Sequence, residues 1–365
     1  MRSLKLRKMW EAAGASFGEI NGAECVVSAS GFDAEYGFLR SRAALSDFSF
    51  VRRFEFDEAT GLDFLDTVLA DNVLKLRYGR IMDTFLASRD GSVAAECFVA
   101  NIDDTVYVVA ESVAPDAEID AALLDPSGGG RDLTESHVLL SVDGPEAWKV
   151  AKEICGPDIL NLPYLAIEKY DFEGERIILM RNGKTGEFGY QFMAPVSVAE
   201  RLFSAISEKL AEMGGGLCGA SAHFNARLEG NFFNIYAEGS VVRDPIALGL
   251  QWMIDFEKES FPGSDAIFSR RAGGCPTALA GVVRRGSGEP FAVGQGIYAG
   301  SERVGEVVAC GVSKMLESPV ALALFSRKYG LAGFEFSSSE NGPLDTATVS
   351  MPPIIPLSLQ NGLDA

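Results

Sequence analysis

Residues 182–192 read NGKTGEFGYQF. Glycines and a threonine surround a single carboxylate, Glu187, and the aromatics Phe188, Tyr190 and Phe192 alternate after it. Such a stretch is either a hairpin turn with a solvated glutamate or a carboxylate aimed at a bound group, and the residues alone leave both open. Other reactive types are sparse. His137 and His223 are the only histidines. Ser-His-Asp chemistry therefore has two possible bases, neither in a recognisable setting, and a histidine-rich metal site is excluded by count. Lone histidines are usually structural, with His223 the stronger candidate for a role. The six cysteines, at 25, 97, 155, 218, 275 and 310, include no pair spaced for zinc or redox chemistry. GQGIYAG (294–300) has the wrong spacing for a dinucleotide loop, and no helix is expected after it. The GGG runs at 128–130 and 214–216 lack the lysine and hydroxyl of a phosphate loop.

Regular elements must hold these groups. Residues 36–45 read as a short helix and 47–58 alternate like a strand. Residues 60–71 read as an amphipathic helix capped by Thr60. Strands are expected at 80–87 and 93–101 around the turn SRDG, with a further hairpin over 101–111 that turns at Asp103 and Asp104. PSGGGRD (126–132) is a connector, and 138–155 reads as strand, turn and helix. Strands at 176–181 and 189–193 flank the Glu187 stretch. In 196–216, Val198, Leu202, Ile206 and Leu210 recur at helical spacing before a glycine stop. From about residue 273 the composition changes to short β-like runs, which suggests a compact β domain through 277–336. The prolines of the tail MPPIIPLSLQNGLDA exclude a regular helix there. No internal repeat is visible.

Composition sets the class. The chain has 365 residues, a formal charge of −19 and 47% hydrophobic residues. That length allows two or three domains with real cores. A nucleic-acid partner would need a basic face, and Lys5, Arg7, Lys8, Arg284 and Arg285 are too few to make one. No window approaches the ~20 apolar residues of a membrane span, and the N-terminus lacks the apolar stretch of a signal peptide. Scattered thiols fit a reducing compartment. The expectation is a soluble, cytoplasmic protein with no membrane, nucleic-acid or metal partner.

Three stretches together resemble the glycine cleavage system T-protein (aminomethyltransferase) family: 183–191 (GKTGEFGYQ), 217–230 (LCGASAHFNARLEG) and 244–267 (DPIALGLQWMIDFEKESFPGSDAI). Weaker echoes run through 36–50, 69–80 and 303–313, in the family's order and over nearly the whole chain. The resemblance implies an α+β fold of three lobes around a central folate channel. Two α/β lobes would lie within 1–272, the second inserted at about 50–135, and a β-barrel domain with the tail would fill 273–365. It also implies tetrahydrofolate as cosubstrate and a one-carbon donor that is either a small amine or methyl-thio compound or a lipoyl carrier protein.

Site residues follow by position. Glu187 stands where the family's glutamate binds the pterin, whose amino group and neighbouring ring N–H match two carboxylate oxygens. Gly183, Thr185, Gly186, Gly189 and Tyr190 keep the rest of that motif, and the glycines let backbone approach a flat ring. Glu96 occupies the position of the catalytic aspartate, with Ala95 in place of its acidic neighbour. Asp83 replaces a family tyrosine, and the two acids would form a like-charge pair if both face the channel, raising one pKa. Asn72 sits near the family's Asn-Asp pair. Arg227 could face a carboxylate of the substrate or folate tail, or could pair structurally with Glu229. Lys184 replaces the motif tyrosine, and Ala222-His223-Phe224 replaces Ala-Arg-Asp. The pterin-anchoring half is thus better kept than the residues around the reacting carbon. The expected activity is tetrahydrofolate-dependent aminomethyl or methyl transfer. The alternative is a non-catalytic folate-binding regulatory or assembly protein, whose Lys-Gly-Cys-aromatic-x-Gly-Gln-Glu run is absent here. A third possibility is the substrate lobe of a larger dehydrogenase, which would need a separate flavin partner.

Overall fold

The computed structural model describes residues 1–285, 288–351, 353–354 and 356, so most of the proline-rich tail lies outside the described residues. An eleven-stranded sheet runs through the first 220 or so positions, and a six-stranded sheet occupies 277–349. Among the described residues no helix is long and apolar enough to cross a membrane.

The large sheet has two halves. In one, strands Arg80–Ala87, Val93–Ile102, Thr105–Ser112 and Arg52–Asp57 pair as neighbours, antiparallel throughout. All ten residues of Val93–Ile102 are buried, because helices and other strands cover both faces of this nearly continuous apolar run. Register sets the chemistry. Asp83 lies opposite Phe98, Phe85 opposite Glu96, and Glu96 opposite Glu111. Cross-strand partners share a face, and so do residues two apart. Asp83, Glu96 and Glu111 therefore project to one side of three adjacent strands.

The other half contains Ala44–Asp47, His137–Asp143, Gly189–Pro195, Glu175–Arg181 and Ala166–Phe172. It aligns Ala44, Asp143 and Gly189 in one row. The halves join at a single residue pair, Ala166 and Arg80. The six-stranded sheet is closed by Tyr298 and Ser337, each of whose backbone N–H groups donates to the other's carbonyl (2.9 and 3.0 Å), giving a nearly closed barrel.

Three local expectations shift. The helix expected over 60–71 is Glu58–Val68, and its cap is Asp57, whose side chain accepts from the Ala59 N–H, rather than Thr60. Gly61 inside it permits the closeness, since a Cβ there would meet Phe56 Cβ at 2.5 Å. The strand over 47–58 is confined to Arg52–Asp57, and the helix over 36–45 is Phe32–Ser41. Most consequential is a helix the periodicity does not announce, Ala220–Glu229. Seven of its ten residues are buried, His223, Asn225, Arg227 and Glu229 among them, so no polar face marks it.

Candidate active site

The site is assembled between the 182–188 loop and the Ala220–Glu229 helix. The loop joins strands Glu175–Arg181 and Gly189–Pro195. Its two ends touch: a Cβ on Gly183 would lie 2.4 Å from Gly189 Cα, and one on Gly189 would lie 2.5 Å from Asp143 Oδ1. Only glycine allows that closure. Thr185 is fully buried. Its carbonyl accepts from Arg40 Nη1 (2.7 Å) and its hydroxyl from the Glu187 N–H (3.4 Å). The helix is anchored through Glu35. One carboxylate oxygen accepts the Gly219 N–H at the helix start, and the other accepts the N–H groups of Ala29, Ser30 and Gly31.

Loop and helix each send one residue into a buried cluster of charge on the sheet. Lys184 Nζ lies 2.6 Å from Glu96 Oε1 and 3.3 Å from Glu111 Oε1. Arg227 Nη2 lies 2.9 Å from Glu96 Oε2, and Nη1 lies 2.7 Å from Glu111 Oε2. Arg227 also donates to the Phe233 carbonyl. Lys184 further sits over the Phe98 ring, 4.2 Å from its centroid. Asp83 completes the cluster. It has an oxygen sealed from solvent without a hydrogen-bond partner among the described residues.

Three carboxyls here face two cations. Burial, then the neighbouring Glu96 charge, pushes the Asp83 carboxyl well above the usual carboxylate range. Burial also raises Glu96, against the pull of Lys184 and Arg227. Burial works against Glu111 as well, but Arg227 and Lys184 outweigh it and hold that carboxyl down at about 2. Asp83 is thus the acid of the three that holds a proton most tightly, while Glu96 and Glu111 face the two cations.

A second cluster lies on the loop's other side. Arg40 Nη2 lies 2.9 Å from Glu229 Oε2, and Arg40 Nη1 lies 3.4 Å from Glu187 Oε1. The Tyr36 hydroxyl donates to Glu229 Oε1 (2.7 Å), and burial, then the Glu229 charge, lifts that phenol to about 12. The Glu187 side chain is buried, with Arg40 as one of its partners.

A cavity of about 350 Å³ opens beside the loop, lined by Gly183, Gly186, Glu187, Phe188 and Gly189, with Tyr164, Arg181 and Phe232 among the facing residues. It lies within the size range of small-ligand pockets. Arg181 sits over the Phe188 ring at 5.3 Å. Tyr164, about half exposed, forms part of the cavity wall.

The structure therefore brings Gly183, Gly186, Glu187 and Gly189 to one cavity, with Thr185 packed behind them. It gathers Asp83, Glu96 and Arg227 into the adjoining cluster. It separates two residues from both. Tyr190 points into the core, wholly buried among residues such as Val142 and Leu202, because it lies on the strand face opposite Gly189 and Gln191. Asn72 caps a short 3-10 turn, its Oδ1 accepting the Leu74 N–H. The Arg227 side chain bonds neither Glu229 nor a cavity-lining residue, although its backbone carbonyl accepts the Phe232 N–H (3.1 Å): residues two apart on a helix point to different sides, and its guanidinium is committed to Glu96, Glu111 and Phe233. His223 Nε2 lies 3.2 Å from Asp143 Oδ2, which also accepts from the Ser141 hydroxyl (2.6 Å). The serine bonds the acid and not the imidazole, so this is no nucleophile triad.

Sequence reasoning passes over Glu111, Arg40 and Asp143. Glu111 was recoverable, because a hairpin turning at Asp103–Asp104 places residue 111 opposite residue 96. Arg40 and Asp143 carry no local signal.

Residues 6–258 match the GCVT N-terminal domain family. An aminomethyltransferase of Streptomyces avermitilis is 28% identical over 307 residues, 82% of each chain. One of Mycolicibacterium paratuberculosis is 26% identical over 346 residues, 94% of each. The crystal structure of the glycine cleavage system aminomethyltransferase T from Bartonella henselae superposes with a TM-score of 0.81 at 21% identity, covering 97% of this chain and 98% of that one.

Proposed function

The chain belongs to the glycine cleavage T-protein (GCVT) family, and on that premise we propose that it is a tetrahydrofolate-dependent transferase that moves an aminomethyl or related one-carbon unit from a donor to the folate. One observation carries the reading: a single loop lines a ligand-sized cavity with Glu187 and three glycines while its Lys184 grips Glu96. The lining suits a flat polar ring. Backbone at Gly183, Gly186 and Gly189 permits close approach, Phe188, Phe232 and Tyr164 supply aromatic surface, and Glu187 supplies acceptor oxygens. Reduced folate, when bound, provides a nucleophilic ring nitrogen for the one-carbon unit.

The protein's own groups then divide the work. Glu187 binds and orients the pterin edge. Lys184 and Arg227 each hold one oxygen of Glu96, so that carboxylate has a fixed position from which to stabilise positive charge. Asp83, whose proton is held more tightly than that of an ordinary carboxyl, is the group suited to deliver or recover one as the amine leaves. Arg227 acts through Glu96 as a positioning residue. A lipoyl-bound aminomethyl group on a carrier protein is the donor that family membership favours, and a small amine is the other source of the same unit.

The test is a calorimetric titration with tetrahydrofolate, oxygen-free, on the wild type and Glu187→Gln. Replacing one acceptor oxygen by an NH₂ group leaves a donor unpaired and weakens binding by roughly 1–3 kcal/mol. Absence of saturable binding, or identical affinity in both proteins, would overturn the folate reading.

A further inference from the structure

A second cavity, of about 480 Å³, lies between the Ala220–Glu229 helix, the Glu302–Ser313 strand and residues 234–241. Its residues are not those of the loop cavity. Two asparagines line it and differ in one respect. Asn225 is fully used: its amide N–H donates to the Val312 carbonyl and its oxygen accepts the Val312 N–H, both at 2.9 Å. Asn234 is used only on one side. Its oxygen accepts the Tyr236 N–H (3.0 Å), while its amide nitrogen, in a residue 2% exposed, has no partner among the described residues. Leaving a buried donor unmatched is costly, and a bound acceptor would recover that cost.

Beside it stands Glu238, 3% exposed, with one oxygen accepting the Asn234 N–H (2.6 Å). No Lys, Arg or His is among the lining residues. Aromatic surface is at hand: Phe32, Phe224 and Tyr236 line the cavity, the last two stacked with centroids 6.0 Å apart. A carboxyl and aromatic rings without a cation suit an ammonium group, methylated ones above all, because rings and carboxylate attract it while its methyl groups fill apolar space. The unmatched Asn234 donor calls for an oxygen acceptor on the same ligand.

We propose that this cavity is a second ligand site, separate from the folate cavity, that takes a small methylated ammonium compound carrying a carboxylate or carbonyl oxygen, with the cation toward Glu238 and the oxygen on Asn234. The proposal does not depend on the folate reading, so either can fail alone. Burial lifts the Glu238 carboxyl to about 7; Arg227 from the helix lowers it and Glu96 from the sheet raises it. The carboxylate form that attracts a cation is thus gained as pH rises through 7.

The experiment is isothermal titration calorimetry of the full chain with two probes, glycine betaine (trimethylammonium plus carboxylate) and tetramethylammonium (cation alone), at pH 6 and pH 8. Expected is one saturable betaine site, roughly tenfold tighter at pH 8 than at pH 6, with tetramethylammonium weaker. Glu238→Gln keeps an oxygen for the Asn234 N–H and should weaken betaine at least tenfold at pH 8. Asn234→Asp keeps the acceptor for Tyr236 and removes the unmatched donor, so betaine should lose its advantage over tetramethylammonium. Val241 lines the cavity and is 49% exposed, so Val241→Lys tests the site without disturbing the core and should weaken both probes. No betaine binding, betaine affinity within twofold of wild type in both Glu238→Gln and Val241→Lys, or one-for-one displacement of betaine by tetrahydrofolate would each overturn the proposal.

Discussion

The two charge clusters flanking the 182–188 loop are built from the same pieces of chain with opposite polarity. In the first, loop and helix supply the cations, Lys184 and Arg227, and the sheet supplies the carboxyls. In the second, loop and helix supply the carboxylates, Glu187 and Glu229, and the cation arrives from the Phe32–Ser41 helix as Arg40. Helix geometry accounts for part of this, since Arg227 and Glu229 are two residues apart and diverge. The difference lies in protons. The first cluster sets three carboxyls against two cations, and burial raises the Asp83 and Glu96 carboxyls there. The second ties a single Arg40 to two carboxylates and two backbone carbonyls, at Thr185 and Ala226. Chemistry suits the first and anchoring the second.

The sharpest way to break that contrast is kinetic. Asp83→Asn and Glu96→Gln should lower kcat by ~10²–10⁴-fold, the usual contribution of a positioned acid or base. Glu187→Gln should raise KM for tetrahydrofolate and leave kcat within a few-fold. The assay is folate consumption with a lipoyl-bound aminomethyl donor. Equal kcat losses in all three would erase the division between clusters.

Stability gives the next largest effect. Arg227→Leu leaves Glu96 and Glu111 to share Lys184 alone, with one buried negative charge uncompensated, and should cost about 3–5 kcal/mol in urea unfolding. Adding Glu111→Gln to that variant should restore part of the loss, because the remaining Glu96–Lys184 pair is then balanced. A loss below 1 kcal/mol in the single variant would mean that the acids protonate or hydrate freely, and that the cluster is not sealed.

The pH dependence of stability has opposite signs within the first cluster. Glu111, held at about 2, contributes stability that is present above its unfolded pKa and lost as pH falls toward 2. Asp83 is raised, so the folded state binds its proton more tightly than the unfolded chain. Its contribution is complete below the unfolded value and disappears as pH rises through the folded one. Glu111→Gln should therefore flatten the acid side of the stability profile, and Asp83→Asn the alkaline side. Profiles unchanged by either substitution would assign the proton elsewhere.

Much of this was legible in the chain. The hairpins over 80–111 are local, set by SRDG and by Asp103–Asp104, and they fix the Glu96 strand without tertiary information. The 182–192 motif locates the loop because glycines at 183 and 189 are demanded by backbone contact, a constraint that leaves a trace in sequence. The helix carrying Arg227 left none: a segment buried on nearly every side has no amphipathic period. Arg40 and Asp143 reach the loop only through packing between distant elements, across separations of 145 residues for the Arg40–Thr185 bond and 80 for Asp143–His223. Tyr190 was misplaced because motif membership says nothing about strand face, which alternates at every residue.

That misplacement yields the smallest effect. Tyr190 is wholly buried, and its hydroxyl has no hydrogen-bond partner among the described residues. Arg181 lies over its ring at 5.7 Å, a contact that phenylalanine retains. Tyr190→Phe removes an unmatched polar atom and keeps the ring, so stability should be unchanged or higher by up to about 1 kcal/mol. Tetrahydrofolate affinity should stay within twofold of wild type, in contrast to Glu187→Gln, three residues away in the same motif. If Tyr190→Phe instead weakened folate binding tenfold, the hydroxyl would be reaching the ligand, and the strand would have to present its other face to the cavity when folate is bound.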